Sequence, residues 1–443
     1  MAIGKINLGI VSQTPVVRLS DDQNSETSGP SGIEGRRFVP TIGGVAPLIK
    51  TQLSELLKRK FIDRAVWFSL NPNAPKSMAL SSKVKAVSVY LEGEGSKNYT
   101  NFKEEIWKNI HNLDSRDFTI REYLGYFKYN SRLAEIMLQD HEDISLFEIH
   151  DFQQLLLGAM LGPSFPSILR WHGPFFPEIL KKKIRKFIVN GLEGNDAVIV
   201  STKRDLEGLI RAGYKGHAYQ IYPHVDNSLW KRPSRKSTDE FCDKFGIGKD
   251  DFLIVNVARM DEIKSQDDLI KAVALLKRRG MKLMLIGGSS FTSKDLGHPK
   301  GELWMHELKG LVKRLKAENM VIFAGSLDHS WLESAYSRAD LFVLPSKIEG
   351  FGLVVVENWL YSTPAIVSRG AGVSELIMEG INGLTFKPGD RQDLAAKILR
   401  IYKDSKLNEY MGENARNMST VCYSSTTAEQ IMRVYKKAIE SFG

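Results

Sequence analysis

Glu349-Gly350-Phe351-Gly352-Leu353-Val354-Val355-Val356-Glu357 sets two carboxylates eight residues apart, shortly after the apolar run Leu341 to Leu344. The run has the length and composition of a buried strand, and Pro345 and Ser346 end it. Gly350 and Gly352 let backbone N–H groups approach a ligand closely before a short helix begins, and Pro364 stops the chain beyond it. The first turn of a helix has donors without intrahelical partners and a partial positive charge, so an anion in front of it is favoured. A wholly helical stretch would hold the two glutamates about 12 Å apart along the axis. That is the reach of a sugar, a diphosphate and a ribose, so the stretch reads as a ligand site at the carboxyl end of a strand.

Outward from this site the same alternation continues. Phe252 to Val257, Lys282 to Ile286, Met320 to Ala324 and Ala365 to Val367 read as further strands. Gln266 to Arg279, Glu302 to Lys316, Ser330 to Arg338 and Asp390 to Tyr402 read as helices between them. Short apolar runs separated by amphipathic helices build a parallel sheet covered on both faces. The first half repeats the pattern near Ile6 to Val11, Ala65 to Leu70, Ala86 to Leu91, Leu146 to His150, Ile168 to His172, Ala197 to Ser201 and Ala218 to Tyr222. The expected fold is α/β, with two doubly wound, Rossmann-like domains. Pro233 to Thr238 is polar, and Ser237 with Glu240 three residues on resembles a capping box, which places the linker there. The expected division is 1–233, 234–424 and a terminal helix in 425–443.

A chain of 443 residues, 42% hydrophobic and 26% charged, is ordinary for two globular domains. Its longest apolar stretch in the first half, Leu155 to Gly162, is far short of the roughly 20 residues that span a bilayer, and Met1 to Ile10 lacks a signal-peptide layout. The cytoplasm is the expected compartment. Cys242 and Cys422 form neither a disulfide framework nor a zinc cluster and are expected as free thiols. The net charge of +9 is spread over both halves and defines no groove for a nucleic acid. Lys181 to Lys186, set among apolar residues, has the pattern of a helix resting on an anionic membrane. A surface helix with one buried face has the same pattern and is the favoured reading. A homodimer is left open.

Ser346 to Gly352, the Pro364 to Val367 strand, Gly370-Ala371-Gly372-Val373-Ser374-Glu375 and Gly380 to Leu384 follow one another in a known order and spacing. With the E-x7-E pair they resemble glycosyltransferase family 4, retaining enzymes of the GT-B fold. The resemblance implies a nucleotide-sugar-binding second domain, an acceptor-binding first domain facing it across a cleft, and a terminal helix that returns to the first domain. It further implies that Arg259 and Lys264, just past the strand Phe252 to Val257, surround the donor diphosphate. A guanidinium fork and a compact ammonium there would stabilise the departing oxygen more in the transition state than in the ground state. The family usually has glycine where this chain has Ser265.

By the same resemblance, Glu349 binds sugar hydroxyls with the N–H groups of Gly350, Phe351, Gly352 and Leu353, and Glu357 accepts from the ribose. His150-Asp151-Phe152-Gln153 and Arg170-Trp171-His172-Gly173, each at a strand end, resemble segments of glycogen synthases and trehalose-forming glucosyltransferases. Asp151 would then bond the acceptor and His172 the donor sugar. Gly43 and Gly44 precede a helix, where they suit the approach of a phosphate or sugar, although a plain turn would also use them. Tyr222 to Asp226 resembles the segment that closes the first domain, with His224 in place of glycine; the expected effect is on the backbone. Ser20 to Arg37 is poor in apolar residues and reads equally as an acceptor lid or a disordered loop.

No Asp-x-Asp triplet occurs, so no metal and no cofactor beyond the nucleotide-sugar substrate is expected. The leading expectation is a retaining hexosyltransferase, with glucose and a free sugar acceptor giving trehalose as the most specific form. The alternatives are transfer to a glycolipid or polysaccharide, and a non-transferring or epimerising nucleotide-sugar protein. A dinucleotide oxidoreductase would need Gly-x-Gly-x-x-Gly after a strand, and the chain has none. Nothing chooses among UDP, ADP and GDP, because the base would meet mainly backbone at Phe323-Ala324-Gly325.

Overall fold

The computed structural model describes residues 6–19, 38–41, 45–91, 93–139, 143–288 and 300–442. Gly43, Gly44 and the stretch Ser20 to Arg37 lie outside the described residues. The chain forms two compact units, Met1–His224 with Ser424–Gly443, and Val225–Tyr423. The sequence reading set these divisions at 233/234 and 424/425.

The first unit contains β1 (Ile6–Ser12), β2 (Val17–Leu19), β3 (Phe38–Pro40), β4 (Ile62–Leu70), β5 (Ser77–Ala79), β6 (Val84–Val89), β7 (Leu146–His150), β8 (Ser167–Trp171), β9 (Ala197–Val200) and β10 (Ala218–Gln220). Eight of these form one sheet in the order β10-β9-β8-β7-β1-β4-β6-β5, and β2 pairs with β3 separately. All neighbours in the large sheet are parallel except β5 with β6. Strands β2, β3, β5 and β10 have three residues each, too few to show a period, and of these only β10 was anticipated, within the run Ala218 to Tyr222.

Alternation along the strands explains the two-sided burial. Leu169, Trp171, Val198 and Val200 enter one core with helices Gly93–Ile110, Ile120–Gln139 and Lys182–Glu193. Their neighbours Ile168, Ala197 and Ile199 enter the opposite core, with Ile49 and Leu53 of helix Ala46–Lys58 and Ile431 and Tyr435 of the terminal helix Ser424–Phe442. Successive side chains of a strand point to opposite faces, so a run apolar at every position needs helices on both.

The second unit adds β11 (Phe252–Val257), β12 (Met281–Ile286), β13 (Val321–Gly325), β14 (Leu341–Leu344), β15 (Ala365–Ser368) and β16 (Gly383–Phe386), in the order β13-β12-β11-β14-β15-β16. Every pair is parallel. Strand β16 and helix Ser405–Ser419 were not anticipated from the sequence. Helix Arg235–Phe245 is capped by Ser234, whose hydroxyl accepts from Ser237 N–H at 3.1 Å, so the capping residue is three positions earlier than the sequence pattern suggested. Among the described residues no helix is long and apolar enough to cross a membrane. Both cysteines are free.

Candidate active site

In the second unit β11, β14 and β15 are adjacent, and their carboxyl ends carry Arg259 and Lys264, Glu349, and Gly370 to Val373 respectively. Backbone bonds stitch these three turns together. Lys347 N–H donates to Ile263 O at 2.8 Å, Glu349 N–H to Gly370 O at 3.1 Å, Gly372 N–H to Glu349 O at 3.2 Å and Val373 N–H to Phe351 O at 2.8 Å. A Cβ on Gly370 would lie 2.0 Å from Lys347 O, so only glycine permits this approach. Gly352 has φ +101° and a Cβ there would meet Leu344 at 2.5 Å; its glycine both turns the chain and opens the helix Leu353–Trp359.

The structure brings Lys264 and Glu349 together: the ammonium donates to a Glu349 carboxylate oxygen, and both side chains are largely covered. Lys264 ends a single turn, Glu262–Lys264, started by the Asp261 carboxylate accepting from Ile263 N–H. Ser265, buried and at φ 52°, ψ 38°, holds the left-handed conformation that joins this turn to helix Gln266–Leu276. That conformation is the reason a glycine suits the position. Arg259 is exposed, its carbonyl accepts from Gln266 Nε2 at 2.8 Å, and no carboxylate pairs with its guanidinium among the described residues.

Glu357 sits within the short helix, whereas Glu349 precedes it by four residues, so the stretch between the two acids is part turn and part helix. Its carboxylate accepts from the Tyr336 hydroxyl at 3.0 Å, and burial pushes its pKa up to about 7. Tyr336 belongs to an aromatic group with Trp230 and Tyr361, at ring separations of 5.7 and 5.9 Å. Sequence reading missed Tyr336 and Trp230, whose proximity to Glu357 depends on tertiary packing.

The first unit holds the other named residues. Asp151 follows β7 with φ 71° and ψ 179°, a conformation that costs about 1–3 kcal/mol outside glycine. It is held there by its N–H donating to Arg170 O at 2.8 Å and by the N–H groups of Phe152, His172 and Gly173 pointing at its carboxylate. Burial nevertheless raises its pKa to about 6. His172, immediately after β8, has Nε2 at 2.9 Å from His150 Nδ1. His224 is buried and its Nε2 bonds the Leu48 carbonyl at 3.2 Å. It does not take a positive φ.

Among the described residues no group of three or more His, Cys, Asp or Glu side chains is placed to hold a metal ion. What the second-unit site offers is a covered ammonium–carboxylate pair, an exposed guanidinium and a glycine-opened helix start, chemistry suited to a carbohydrate joined to a phosphate.

Two units, each a sheet of mainly parallel strands wrapped in helices, have the architecture of the GT-B fold class. A solved structure described as trehalose-6-phosphate from E. coli bound with UDP-2-fluoro glucose superposes with a TM-score of 0.78, covering 97% of this chain and 99% of that one at 18% identity. Residues 237–418, within the second unit, match the family profile described as Glycosyl transferases group 1. N-acetyl-alpha-D-glucosaminyl L-malate synthase of Bacillus anthracis is 23% identical over 344 residues, 75% of this chain and 84% of that protein. D-inositol 3-phosphate glycosyltransferase of Corynebacterium kroppenstedtii is 25% identical over 258 residues, 57% of this chain. The match spans 53% of that relative's length, and about half of several others.

Proposed function

We propose that this enzyme is a retaining hexosyltransferase that moves glucose from a nucleoside diphosphate sugar to a hydroxyl acceptor, with a free sugar acceptor and trehalose as the most specific product. The observation that carries the reading is the Lys264–Glu349 pair beside the helix opened by Gly352. In the proposed reaction the bond from the sugar's anomeric carbon to the diphosphate oxygen breaks, and that oxygen takes the electron pair. Arg259 and Lys264 meet the growing charge, and a bond forms from the acceptor oxygen to the anomeric carbon on the same face. The acceptor's proton passes to the departing phosphate, so no side-chain nucleophile is needed. Glu349 and the N–H groups of Gly350 to Leu353 hold sugar hydroxyls and phosphate, and Glu357 accepts from the ribose. On the first unit, Asp151 and His172 are assigned to carbohydrate. The structural neighbour described with UDP-2-fluoro glucose supports UDP as the first donor to try.

A glycolipid acceptor is the second reading. Ile120, Leu124 and Phe127 form an exposed apolar stripe, 80, 46 and 44% accessible, on helix Ile120–Gln139. That helix packs through Tyr126 on Phe187, one residue past the exposed Lys186, so apolar and cationic groups share this surface.

The test is to incubate the purified chain with UDP-, ADP- and GDP-glucose and with free sugars, glycerate or anionic vesicles carrying a glycolipid, reading product linkage by NMR. Retained configuration in a disaccharide supports the first reading. Transfer only to the vesicle lipid supports the second, and inversion, or donor binding without transfer, overturns both.

A further inference from the structure

The His150–His172 contact has a geometry that fixes where its proton lies. The rings are 9° from parallel with centroids 5.2 Å apart, while Nδ1 of His150 is 2.9 Å from Nε2 of His172. The centroid separation exceeds the nitrogen separation by about two ring radii, which requires both nitrogens to lie on the line between the centres. The rings are therefore edge to edge in one plane, joined by an N–H···N hydrogen bond, and not stacked. Burial and the Arg170 guanidinium hold both imidazoles well below the usual histidine pKa, so each neutral ring has a single N–H.

The direction of that bond follows from a chain of groups whose roles are forced. Arg170 can only donate, and its Nη1 lies 2.6 Å from Gln52 Oε1, which turns the Gln52 amide nitrogen toward Glu148. Gln52 Nε2 and the Tyr435 hydroxyl then each donate to Glu148 Oε2 at 2.5 Å, which marks that oxygen as an acceptor. Glu148 Oε2 lies 3.8 Å from Nε2 of His150, a nitrogen with no hydrogen-bond partner among the described residues. A lone pair on that nitrogen would face an acceptor oxygen; a proton there is attracted to it. With its proton on Nε2, His150 has a bare Nδ1 and accepts from His172.

We propose that His150 is a positioning residue: by accepting Nε2–H of His172 it locks that ring in the neutral tautomer whose Nδ1 is a bare acceptor. Glu148, Gln52, Arg170 and Tyr435 of the terminal helix hold His150 in the matching tautomer. No described residue bonds His172 Nδ1, and the His172 side chain is half-buried, so this nitrogen is the one left for a ligand. A bare imidazole nitrogen accepts from a hydroxyl and repels a carboxylate or phosphate. The position therefore selects a neutral carbohydrate hydroxyl over an anionic substituent such as that of a uronic acid. The substrate clause rests on the glycosyltransfer proposed above; the tautomer does not.

The experiment is histidine 15N NMR on the full chain at neutral pH, with His172 assigned by His172→Gln, together with turnover of His150→Leu and His150→Asn. The expected spectrum shows His172 protonated on Nε2 with Nδ1 bare, and His150→Leu removes that preference. Asparagine keeps an acceptor oxygen where His150 has Nδ1, so His150→Asn should retain the tautomer and near-normal kcat, whereas His150→Leu loses roughly 10-fold or more, as for other orienting partners, at unchanged UDP affinity. A proton on Nδ1 of His172 in the unaltered protein overturns the proposal, as does an Asn variant as slow as the Leu variant. Should His150→Leu fail to fold, the spectrum of the unaltered chain decides alone. Normal transfer by His172→Gln would remove His172 from the sugar site and leave the tautomer result standing.

Discussion

Lys264 donates directly to the Glu349 carboxylate although 85 positions of chain separate them, because β11 and β14 are neighbours and their turns meet at one sheet edge. The pair sets the ammonium against the carboxylate that precedes the glycine-opened helix. Lys264→Ala and Arg259→Ala should each lower turnover by roughly 10² or more, the range for losing a transition-state charge partner. Thermal unfolding should shift little for Arg259→Ala, which is exposed, and more for Lys264→Ala, which takes the ammonium from the largely covered Glu349 carboxylate. Steady-state kinetics on the two variants checks this, and near-normal kcat in both would remove their assigned roles.

Glu357, raised from 4.5 to about 7 by burial, gives two pH dependences of defined sign. In its proposed role as a ribose acceptor it works best ionised, so nucleotide affinity measured by calorimetry should rise with pH through about 7 and become flat in Glu357→Gln. In folding, the native state holds the proton that the unfolded state has already released above 4.5. Stability from this group is therefore present at low pH and lost as pH rises toward about 7. Denaturant titrations across that window should show the loss in the native chain and not in the Gln variant.

Ser265 combines a positive φ of 52° with a buried Oγ that has no partner among the described residues. Replacing it with glycine relieves a left-handed strain of about 1–2 kcal/mol against an unfolded-state entropy cost of roughly 0.5–1 kcal/mol. Ser265→Gly should raise stability by somewhat under about 1 kcal/mol, with more if the unpaired hydroxyl counts. Urea unfolding measures it, and a destabilised glycine variant would show that the buried hydroxyl contributes more than the backbone loses.

Tyr435 binds the terminal helix to the sheet by donating to buried Glu148. Tyr435→Phe keeps the ring and withdraws one donor from a carboxylate with no access to water, a loss of about 1–3 kcal/mol. The unfolding midpoint should fall accordingly. An unchanged midpoint would mean that Gln52 alone satisfies Glu148.

The terminal helix and both sheets were legible before any coordinates, since strand and helix periods are local and the runs from Phe252 to Val257 and from Leu341 to Leu344 are apolar throughout. The short strands β2, β3 and β5, and the four-residue edge strand β16, were not, because so few residues carry no clear period. The sequence pattern put the helix cap at Ser237, and only the helix's actual first turn shows it to be Ser234. The acids Glu349 and Glu357, the cations Arg259 and Lys264, and the glycines at 350 and 352 could all be named in advance, because turn chemistry and spacing are written along the chain.

Pairing is another matter. The sequence by itself determined the parallel α/β architecture and the residue types at the strand ends. That Lys264 meets Glu349, that Tyr336 bonds Glu357, and that Tyr435 reaches Glu148 across 287 positions was decided only by tertiary structure. The physical reason is that a side chain's partner depends on strand order and register, which are set by the packing of whole helices against both faces of a sheet. His150 makes the point most sharply: its place at a strand end was plain from the sequence, while the direction of its hydrogen bond to His172 follows from Arg170, Gln52 and Glu148, which converge only in the folded core.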